Sequence, residues 1–551
     1  MRNKFSVIAA SILAICATPS MVSCGGSTTS SGSDYYDPEH RPFGRYDEPI
    51  TIKGVMEYLD HNDSRVPSSI TPDNQKFIQF LRDDLNINFE YMWKVPPQQY
   101  ENKLSGTILS KKYPDILKVN AAQFQNFKEK GLLKDLTETY KYASPAVKKF
   151  LDRDPAVIES IKEEDGKIYG IPQYDDPLKG VPVMFYRKDW LEELNLSIPK
   201  NPEELYNVLM EFKTKKGADV GIAVAKDLVA SYFSLDRYLQ MFGYQPYTWI
   251  DDGTGKLVSS DISNEAREGV QYIKKLYDNG LLAKDFAATD AATAESQLKT
   301  GKSGVVFGPW WTYEYPVGNL LNDQDWGSAP IPHKEGTKIT VQKQNISYYY
   351  VVLNQCKNPE ALMKMINMYI ELDGKEGAKP EDGYVWSWCP TQFNDPTDIN
   401  ETHVKFNEHL KVDPTASNPC PEEWTSHEKK LWDAYPRYLE WKEDHGAVKF
   451  ESNNFANIIG RVNEDGAWAA IRETASENRI KNNEFYALPT ENQDKYGGQI
   501  STHTEVFFAE AIAGRSNIND DAVWNAYVSE WKSLGGDAIT ADVNAWYSSK
   551  R

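Results

Sequence analysis

Cysteine, basic charge and long apolar runs are all scarce in this sequence. Its 551 residues include five cysteines, with no Cys-x-x-Cys pair and no histidine at zinc-ligand spacing. Neither a disulfide framework nor a zinc site is therefore expected, although the sequence does not decide whether Cys389 and Cys420 form a disulfide. The 61 lysines and arginines are outnumbered by 80 aspartates and glutamates, which gives a net charge of −19. Because nucleic acid and anionic lipid are bound by clustered basic side chains, this charge argues against both as partners.

Catalytic signatures are also missing. The chain has no Gly-x-Ser-x-Gly elbow and no His-Glu-x-x-His motif, and Gly301-Lys302-Ser303 lacks the upstream glycine of a phosphate-binding loop. A glycoside hydrolase would need two opposed carboxylates, and no motif marks such a pair among the acidic residues. We therefore expect no cofactor, and a lipid-anchored glycoside hydrolase is kept only as an alternative function.

The one long apolar run lies at the N-terminus and has the form of a secretory signal. Two basic residues precede residues 7–17, an apolar stretch too short to span a bilayer. Met21-Val22-Ser23-Cys24 then resembles a bacterial lipobox, and a Gly/Ser-rich segment follows it. We expect residues 1–23 to be a signal peptide and residues 24–47 a flexible tether acylated at Cys24. The folded part would then lie outside the cytosol on a membrane anchor; an ordinary signal peptide with an incidental Cys24 is the alternative.

Length and aromatic content indicate what the folded part binds. The chain exceeds the size at which one hydrophobic core keeps growing, so at least two lobes are expected. It contains 15 tryptophans and 32 tyrosines. Carbohydrate is the neutral ligand that this composition favours, because the C–H face of a sugar packs against an aromatic ring. The tryptophans at helical spacing are expected to be core, namely Trp424, Trp432, Trp441, Trp524, Trp531 and Trp546.

Strands alternate with helices through roughly the first 350 residues. This alternation predicts a parallel-rich α/β lobe, whereas the chain after Pro359 is expected to be mostly helical. Asn201-Pro202 predicts a helix start, with Asn201 as the N-cap. The expected strands include residues 50–58, 87–91, 115–119 and 183–187.

Five segments spread over almost the whole mature chain carry a family resemblance. They are Pro-Asp-Ile-Leu-Lys-Val-Asn at 114–120, Gly-Leu-Leu-Lys-Asp-Leu-Thr at 131–137, Gly-Lys-Ile-Tyr-Gly-Ile-Pro at 166–172, Tyr-Arg-Lys-Asp-Trp-Leu at 186–191 and Trp-Lys-Ser-Leu-Gly-Gly-Asp-Ala-Ile-Thr at 531–540. In this order they resemble family 1 extracellular solute-binding proteins, the sugar-capturing lipoproteins of ABC importers. The resemblance implies an α/β, two-lobed type II periplasmic-binding-protein fold, with discontinuous lobes, an interlobe hinge and ligand in the cleft.

The resemblance also implies how the chain is divided and what it meets. Lobe I is expected to hold residues 48–173 and about 346–440, lobe II about 178–341 and 490–551, with a crossing region at about 441–489. The implied protein is a monomer without enzymatic activity that captures a carbohydrate, an oligosaccharide, for the permease subunits of an ABC importer. A surface glycan-binding lipoprotein that serves an outer-membrane porin is the other alternative, although such proteins tend to be helical repeats.

The middle of the chain is similar to the maltose-binding members of this family. Tyr232-Phe233 and Gly308-Pro309-Trp310 fall in the same order and near the same spacing. The resemblance implies that Trp310 and Tyr232 stack on sugar rings, and a strand ending in Gly-Pro would project the next side chain into a cleft. The neighbouring Trp311 is a further candidate. The alternative is that Trp310 fills the interface between the lobes.

Other candidates for ligand contact follow from position. Tyr174, Asp175 and Asp176 lie just past Pro172, at the expected first crossing between the lobes, where carboxylates can bind sugar hydroxyls. Two tryptophans lie in a loop and one follows a strand, where an exposed ring needs a ligand or a packing partner. A solvated turn is the alternative for the first three. These candidates are Tyr174, Asp175, Asp176, Trp386, Trp388 and Trp93.

Two differences from the family limit which ligand and which metal we expect. Where maltose-binding members place a stacking tryptophan and an Asp-Arg pair, this chain has Val119, Ala122 and Gln123, so maltose is not assumed. Residues 214–219 replace an acidic loop of calcium-binding type that many members carry. Because this segment lacks the alternating carboxylates that calcium needs, we expect no structural metal.

Overall fold

The computed structural model shows two lobes with separate hydrophobic cores. The first lobe has a main core from residues 46–174 and 350–393 and two smaller clusters, one around Phe124 and one around Trp388. The second lobe has one core from residues 181–341 and 399–543. Each lobe is therefore discontinuous in sequence, and the chain passes between the lobes at several places. The residues that the structure describes are 44–58, 66–153, 157–158, 161–163, 165–230, 232–343, 345–372, 378–393, 399–421, 424–445 and 448–550.

The described elements alternate between strands and helices and end in a helical C-terminal third. The strands are β1 (Ile50–Glu57), β2 (Ile87–Val95), β3 (Ile116–Val119), β4 (Ile171–Asp175), β5 (Val183–Arg187), β6 (Trp249–Asp251), β7 (Leu257–Ser259), β8 (Val305–Gly308), β9 (Trp326–Pro330), β10 (Ile339–Gln342), β11 (Asn345–Val352) and β12 (Ile480–Asn483). The α-helices are α1 (Lys76–Leu85), α2 (Pro97–Leu109), α3 (Ala121–Glu129), α4 (Pro145–Leu151), α5 (Lys188–Glu193), α6 (Pro202–Lys216), α7 (Asp236–Leu239), α8 (Asn264–Asp278), α9 (Ala291–Lys299), α10 (Ala361–Leu372), α11 (Ile399–Val412), α12 (Ser426–Glu443), α13 (Ser452–Asn457), α14 (Ala467–Ser476), α15 (Glu491–Ile512), α16 (Asp521–Trp531) and α17 (Asp537–Ser549).

The strands of the first lobe include both parallel and antiparallel pairs. β1 pairs in parallel with β2, whereas β11 lies between β3 and β4 and runs antiparallel to both. Lys53 and Asp115 connect the two sets, because the Asp115 N–H donates to Lys53 O at 2.7 Å and the Lys53 N–H donates to Asp115 Oδ2 at 2.8 Å. β3 and β4 therefore run in the same direction, and their carboxyl ends lie at one edge of the lobe. The sequence predicts the parallel strands here but not the antiparallel β11 between them.

The second lobe has β5 at its centre. β8 and β9 flank β5 and run antiparallel to it, with Val183 opposite both Gly308 and Pro330. β10 pairs in parallel with β12, and β6 forms a hairpin with β7. The end of β8 thus lies beside the start of β5, where the chain enters this lobe from the first.

Local sequence explains several helix boundaries. The Asn201 side chain accepts hydrogen bonds from the N–H groups of Glu203 and Glu204, and Pro202 begins α6 where no intrahelical donor is needed. Gly217 ends that helix at φ 71°, a left-handed conformation that glycine adopts without a steric penalty. The N-cap predicted at Asn201 and the strand predicted at residues 183–187 are both confirmed.

Some boundaries differ from those expected from the sequence. Residues 44–47, expected in the tether, belong to the first lobe, because Tyr46 is buried and its hydroxyl donates to Glu360 Oε1 at 2.6 Å. The described residues of 399–440, expected in lobe I, pack in the second lobe, where Phe406 contacts Trp424 and Trp432. Buried residues of the expected crossing region at about 441–489, such as Trp468, belong to the same core. The predicted signal peptide, Cys24 and tether residues 24–43 lie outside the described residues.

Asp176 joins two of the segments that cross between the lobes. It lies directly after β4, and its Oδ1 accepts from the Leu178 N–H at 2.9 Å. Its Oδ2 accepts from the N–H of Ile399, the first residue of α11, at 3.1 Å. One carboxylate therefore caps the first crossing turn and holds the entry of a second crossing segment beside it.

Candidate functional site

The ends of two strands, one from each lobe, meet beside the first crossing. Asp175 ends β4 in the first lobe, and Trp310 follows the end of β8 in the second. Lys179 connects them, because its Nζ lies 2.6 Å from Asp175 Oδ1 and 5.5 Å from the Trp310 ring centroid. Because ligands of open α/β sheets bind outside the carboxyl ends of strands, this junction is the candidate ligand site.

Trp310 is partly exposed, and its ring packs against other side chains of the second lobe. Pro309 ends the β8 segment, and Trp310 begins a short 3-10 helix, Trp310–Tyr313. Its ring centroid lies 5.8 Å from that of the fully buried Trp468, at an interplanar angle of 59°. The guanidinium carbon of Arg461 lies 4.5 Å from the same centroid. Trp310 thus combines an anchored interior edge with an accessible portion, as a stacking platform for a ligand requires.

The charges around Trp310 are paired. Arg461 donates from Nη2 to Glu314 Oε1 at 2.8 Å, and Lys179 is paired with Asp175. Arg461 Nη1 lies 2.8 Å from His427 Nε2. Desolvation, with the positive charge of Arg461 next, holds the pKa of His427 well below its ordinary value, so the ring is neutral and accepts this hydrogen bond. Two cations are therefore balanced by two carboxylates around one aromatic ring.

A second group of aromatic rings lies on the same lobe. Tyr232 packs edge-on against Tyr315 at 5.3 Å and against Trp311 at 6.2 Å, and all three side chains are partly exposed. The Tyr315 hydroxyl donates to Glu295 Oε2 at 2.5 Å, which fixes the ring. The structure brings Tyr232 and Trp311 together, and it adds Tyr315 to them.

Polar and aromatic side chains of the first lobe lie near the carboxyl ends of its strands. Lys118 on β3 has its Nζ 3.9 Å from Glu57 Oε2 at the end of β1, and 5.0 Å from the ring centroid of Tyr348 on β11. Burial lowers the pKa of the Lys118 ammonium, and Glu57 partly offsets this effect. The Tyr348 hydroxyl donates to Gln392 O at 2.7 Å. These groups offer hydrogen-bond donors and acceptors at the same edge as Asp175.

The two loop tryptophans have different environments. Trp386 is 62% exposed, and its carbonyl accepts from Gln392 Nε2 at 3.2 Å, which holds its turn beside Tyr348. Trp388 is buried and stacks on Tyr58 with ring centroids 5.8 Å apart. Trp386 therefore stays a candidate for ligand contact, whereas the packing partner of Trp388 is a protein ring.

Three other candidates make structural contacts. Tyr174 is 4% exposed, packs against Phe150 at 4.9 Å and donates its hydroxyl hydrogen to Phe150 O. Trp93 packs against Tyr100, and its Nε1 donates to Thr107 Oγ1 at 2.9 Å. Tyr174 therefore belongs to the packing of the first lobe, whereas Trp93 is partly exposed and stays a candidate for ligand contact. Asp176 uses its oxygens to cap backbone N–H groups at the crossings, as described above.

Several residues of this region do not stand out in the sequence. Lys179 could have been found, since it follows Asp175 by four residues within the expected crossing. Arg461, Glu314, His427 and Trp468 carry no motif, and Arg461 reaches Trp310 from about 150 residues away in the chain. Sequence spacing therefore identifies the exposed ring but not its support.

The described residues form neither a metal-binding cluster nor a disulfide between Cys389 and Cys420. Within the ranges given above, no group of three or more histidine, cysteine, aspartate or glutamate side chains is arranged to hold a metal ion. Cys389 and Cys420 both carry thiols, so the bridge left open by the sequence is not formed. None of the described helices combines the length and the apolar character needed to cross a bilayer.

Comparisons with known proteins agree with this architecture. A sequence model described as bacterial extracellular solute-binding protein matches residues 69–376, more than half of the chain. The chain is 28% identical over 248 residues to the polygalacturonan/rhamnogalacturonan-binding protein YtcQ of Bacillus subtilis, covering 43% of this chain and 47% of that protein. It is 27% identical over 251 residues to lipoprotein LipO of the same organism, covering 44% and 47%. The chain spans about half the length of these curated relatives.

A solved structure shows the same fold over nearly the full length. The S. pneumoniae ABC-transporter substrate-binding protein FusA, in complex with kestose, superposes with a TM-score of 0.60 at 18% identity, covering 91% of this chain and 99% of that chain. The two-lobed type II periplasmic-binding fold predicted from the sequence is thereby confirmed. The matched sequence model and this fold together establish that the chain belongs to the bacterial extracellular solute-binding proteins.

Proposed function

We propose that this protein captures an oligosaccharide between its two lobes and delivers it to an ABC importer. The observation that carries the proposal is Trp310, a partly exposed ring at the junction of the lobes, anchored on Arg461 and Trp468. A pyranose or furanose ring buries apolar C–H area against such a face, while its hydroxyls bind nearby carboxylates and amines. Asp175, Lys179 and Lys118 supply polar groups of this kind near the same junction.

The spread of aromatic rings favours a ligand of more than one sugar unit. Tyr232, Trp311 and Tyr315 form a second aromatic group on the lobe that carries Trp310. On the other lobe, Trp386 presents a mostly exposed ring. A single monosaccharide ring cannot cover several separate platforms, so an oligosaccharide uses the site better.

The pairing of charge favours a neutral ligand. The two cations nearest Trp310 are each bound to a carboxylate, Lys179 to Asp175 and Arg461 to Glu314. A uronate-rich chain would need cations that are free to bind it, since a buried carboxylate without a partner is costly. Among the similar proteins, the name of YtcQ refers to acidic polysaccharides and FusA was solved with kestose, a neutral sugar. We place this chain with the neutral class.

A thermal-shift screen of oligosaccharides tests this function. A ligand that binds only the folded state raises stability by RT ln(1 + [L]/Kd), about 2.7 kcal/mol at 100 times Kd. We expect a neutral oligosaccharide to raise the melting temperature, and matched oligogalacturonides and monosaccharides to have a smaller effect. A response to oligogalacturonides alone would contradict the neutral class, and no response to any sugar would contradict the function.

We further propose that the protein is a monomer anchored to a membrane through acylated Cys24. The lipobox-like sequence and the Gly/Ser-rich tether support this proposal, as does similarity to a protein named as a lipoprotein. A Cys24→Ala variant should move from the membrane to the soluble fraction, because acyl chains supply the attachment. Retention of the variant in the membrane fraction would contradict the anchor.

A further inference from the structure

The guanidinium of Arg461 lies against two indole rings that also contact each other. Its Cζ is 4.5 Å from the Trp310 centroid and 5.5 Å from the Trp468 centroid. Trp468 is fully buried and Trp310 is partly exposed, and Arg461 contacts Trp310 on the side where Trp310 meets Trp468. A planar cation on that side restricts how the Trp310 ring can tilt.

Two hydrogen bonds fix the plane of this guanidinium. Nη2 donates to Glu314 and Nη1 donates to the neutral His427, both at 2.8 Å. Glu314 follows the short helix Trp310–Tyr313 directly, so a single turn supplies both the ring and the carboxylate. Arg461 therefore binds this turn at its two ends.

Stability alone does not account for this arrangement. Arg461 Nε and Trp468 Nε1 are buried without a hydrogen-bond partner among the described residues, and unpaired buried donors are unfavourable. A partly buried Arg–Glu pair also adds little net stability compared with an apolar side chain of similar size. The residue type at position 461 is thus better explained by the geometry it imposes on Trp310.

We propose that Arg461 is a positioning residue that holds Trp310 in its ligand-stacking orientation, with Glu314 and His427 fixing the guanidinium. The proposal rests on the role of Trp310 in the function proposed above. Lysine cannot replace arginine in this role, because an ammonium is a point charge without a planar face or a fork of donors. Methionine fills the space but offers neither hydrogen bonds nor charge.

Circular dichroism and sugar titration of Arg461→Lys and Arg461→Met test the proposal. Trp310 and Trp468 are 5.8 Å apart and inclined, so their indole transitions should couple, and a Trp310→Phe variant identifies the coupled signal. We expect both Arg461 variants to lose this signal and to bind the responding oligosaccharide about tenfold more weakly. Arg461→Met leaves Glu314 and His427 without this partner, so its melting temperature should fall more than that of Arg437→Lys, a control at an exposed arginine that pairs with Glu451. Affinity is therefore compared per folded protein, at a temperature where each variant is folded.

Other outcomes separate the alternatives. Unchanged signal and affinity in Arg461→Lys would overturn the proposal. Large losses of melting temperature in both variants, with affinity falling only as folded protein is lost, would overturn it in favour of a purely structural role. If the wild type binds no sugar but the coupled signal still depends on Arg461, the proposed function fails while the positioning of Trp310 is supported.

Discussion

At the residue scale, the tryptophan side chains of this protein differ widely in burial. Trp468 is fully buried, Trp386 is mostly exposed, and Trp310 lies between these extremes with Trp468 beneath it. The helical tryptophans expected to be core, from Trp424 to Trp531, are buried, and Trp546 is packed against the same core. Trp310 therefore differs from the core rings by its partial exposure, and from Trp386 by its packing against Trp468 and Arg461.

Trp310→Ala should weaken sugar binding more than it weakens the fold. Loss of a desolvated aromatic anchor reduces affinity by about 1–3 kcal/mol. Trp468→Ala is the matched control, because a fully buried tryptophan costs about 3–5 kcal/mol of stability when truncated. Calorimetric titration and unliganded melts of both variants measure the difference. Unchanged affinity with a collapsed melt in Trp310→Ala would instead assign Trp310 to the lobe interface.

Asp261 should make the second lobe more stable at mildly acidic pH. It is 2% exposed, and burial raises its pKa to about 6, although Tyr244 and the Tyr247 N–H donate to it at 2.9 Å. Its pKa in the unfolded chain is about 3.9, so the folded state binds more protons between about pH 4 and 6. The contribution of Asp261 therefore falls as pH rises through this window, by about 3 kcal/mol in total, and is constant above it.

Asp261→Asn keeps the acceptor oxygen and removes this titration. Denaturant unfolding between pH 4 and 7 should show that the free energy of unfolding of the variant relative to wild type rises with pH and then levels off. Asp252→Asn is the control, because the exposed Asp252 has a lowered pKa and its contribution has the opposite sign. A pH dependence identical to wild type in Asp261→Asn would contradict the prediction.

At the element scale, strands and helix starts follow from local sequence, but the partners of a side chain do not. β5 and the N-cap at Asn201 were predictable because alternation and capping are short-range signals. Tyr174 was a cleft candidate because it lies at the expected first crossing, yet it packs against Phe150 in the core. No sequence signal marks Arg461, because its contacts are with the distant turn that holds Trp310 and Glu314. Local pattern thus predicts the element, and only the fold shows which face is covered.

Asp175 and Asp176 should separate binding from stability although they are neighbours. Asp176 accepts N–H groups from Leu178 and Ile399 on two crossing segments, so Asp176→Ala should lower the free energy of unfolding by about 2 kcal/mol. Asp175 instead pairs with the largely buried side chain of Lys179 beside Trp310 and accepts the Asp176 N–H, so Asp175→Asn, which keeps an acceptor oxygen, should chiefly change sugar affinity. Melts and titrations of both variants test this contrast, and equal stability losses would contradict it.

At the scale of the whole molecule, two cores joined by crossing segments allow the lobes to move as units. Each lobe has its own core, and the contacts between them include Asp175 with Lys179 and Asp176 with Ile399. In the proposed function, Trp310 on one lobe and Trp386 on the other contact one ligand, which requires both lobes to approach it. Binding energy on both sides then favours the closed state, because a ligand shifts an equilibrium toward the state that it binds better.

Saturating oligosaccharide should therefore reduce the radius of gyration of the protein. Hinge closure around ligand brings the two lobes nearer, and a few residues at the crossings absorb the backbone change. Small-angle scattering with and without the sugar identified by thermal shift measures it, and Trp310→Ala at the same sugar concentration is the control for non-specific compaction. The variant should stay closer to the unliganded radius because its weaker binding leaves more protein open. An unchanged radius in the saturated wild type would mean that the lobes bind sugar without closing, and the ligand contacts would then have to lie on one lobe alone.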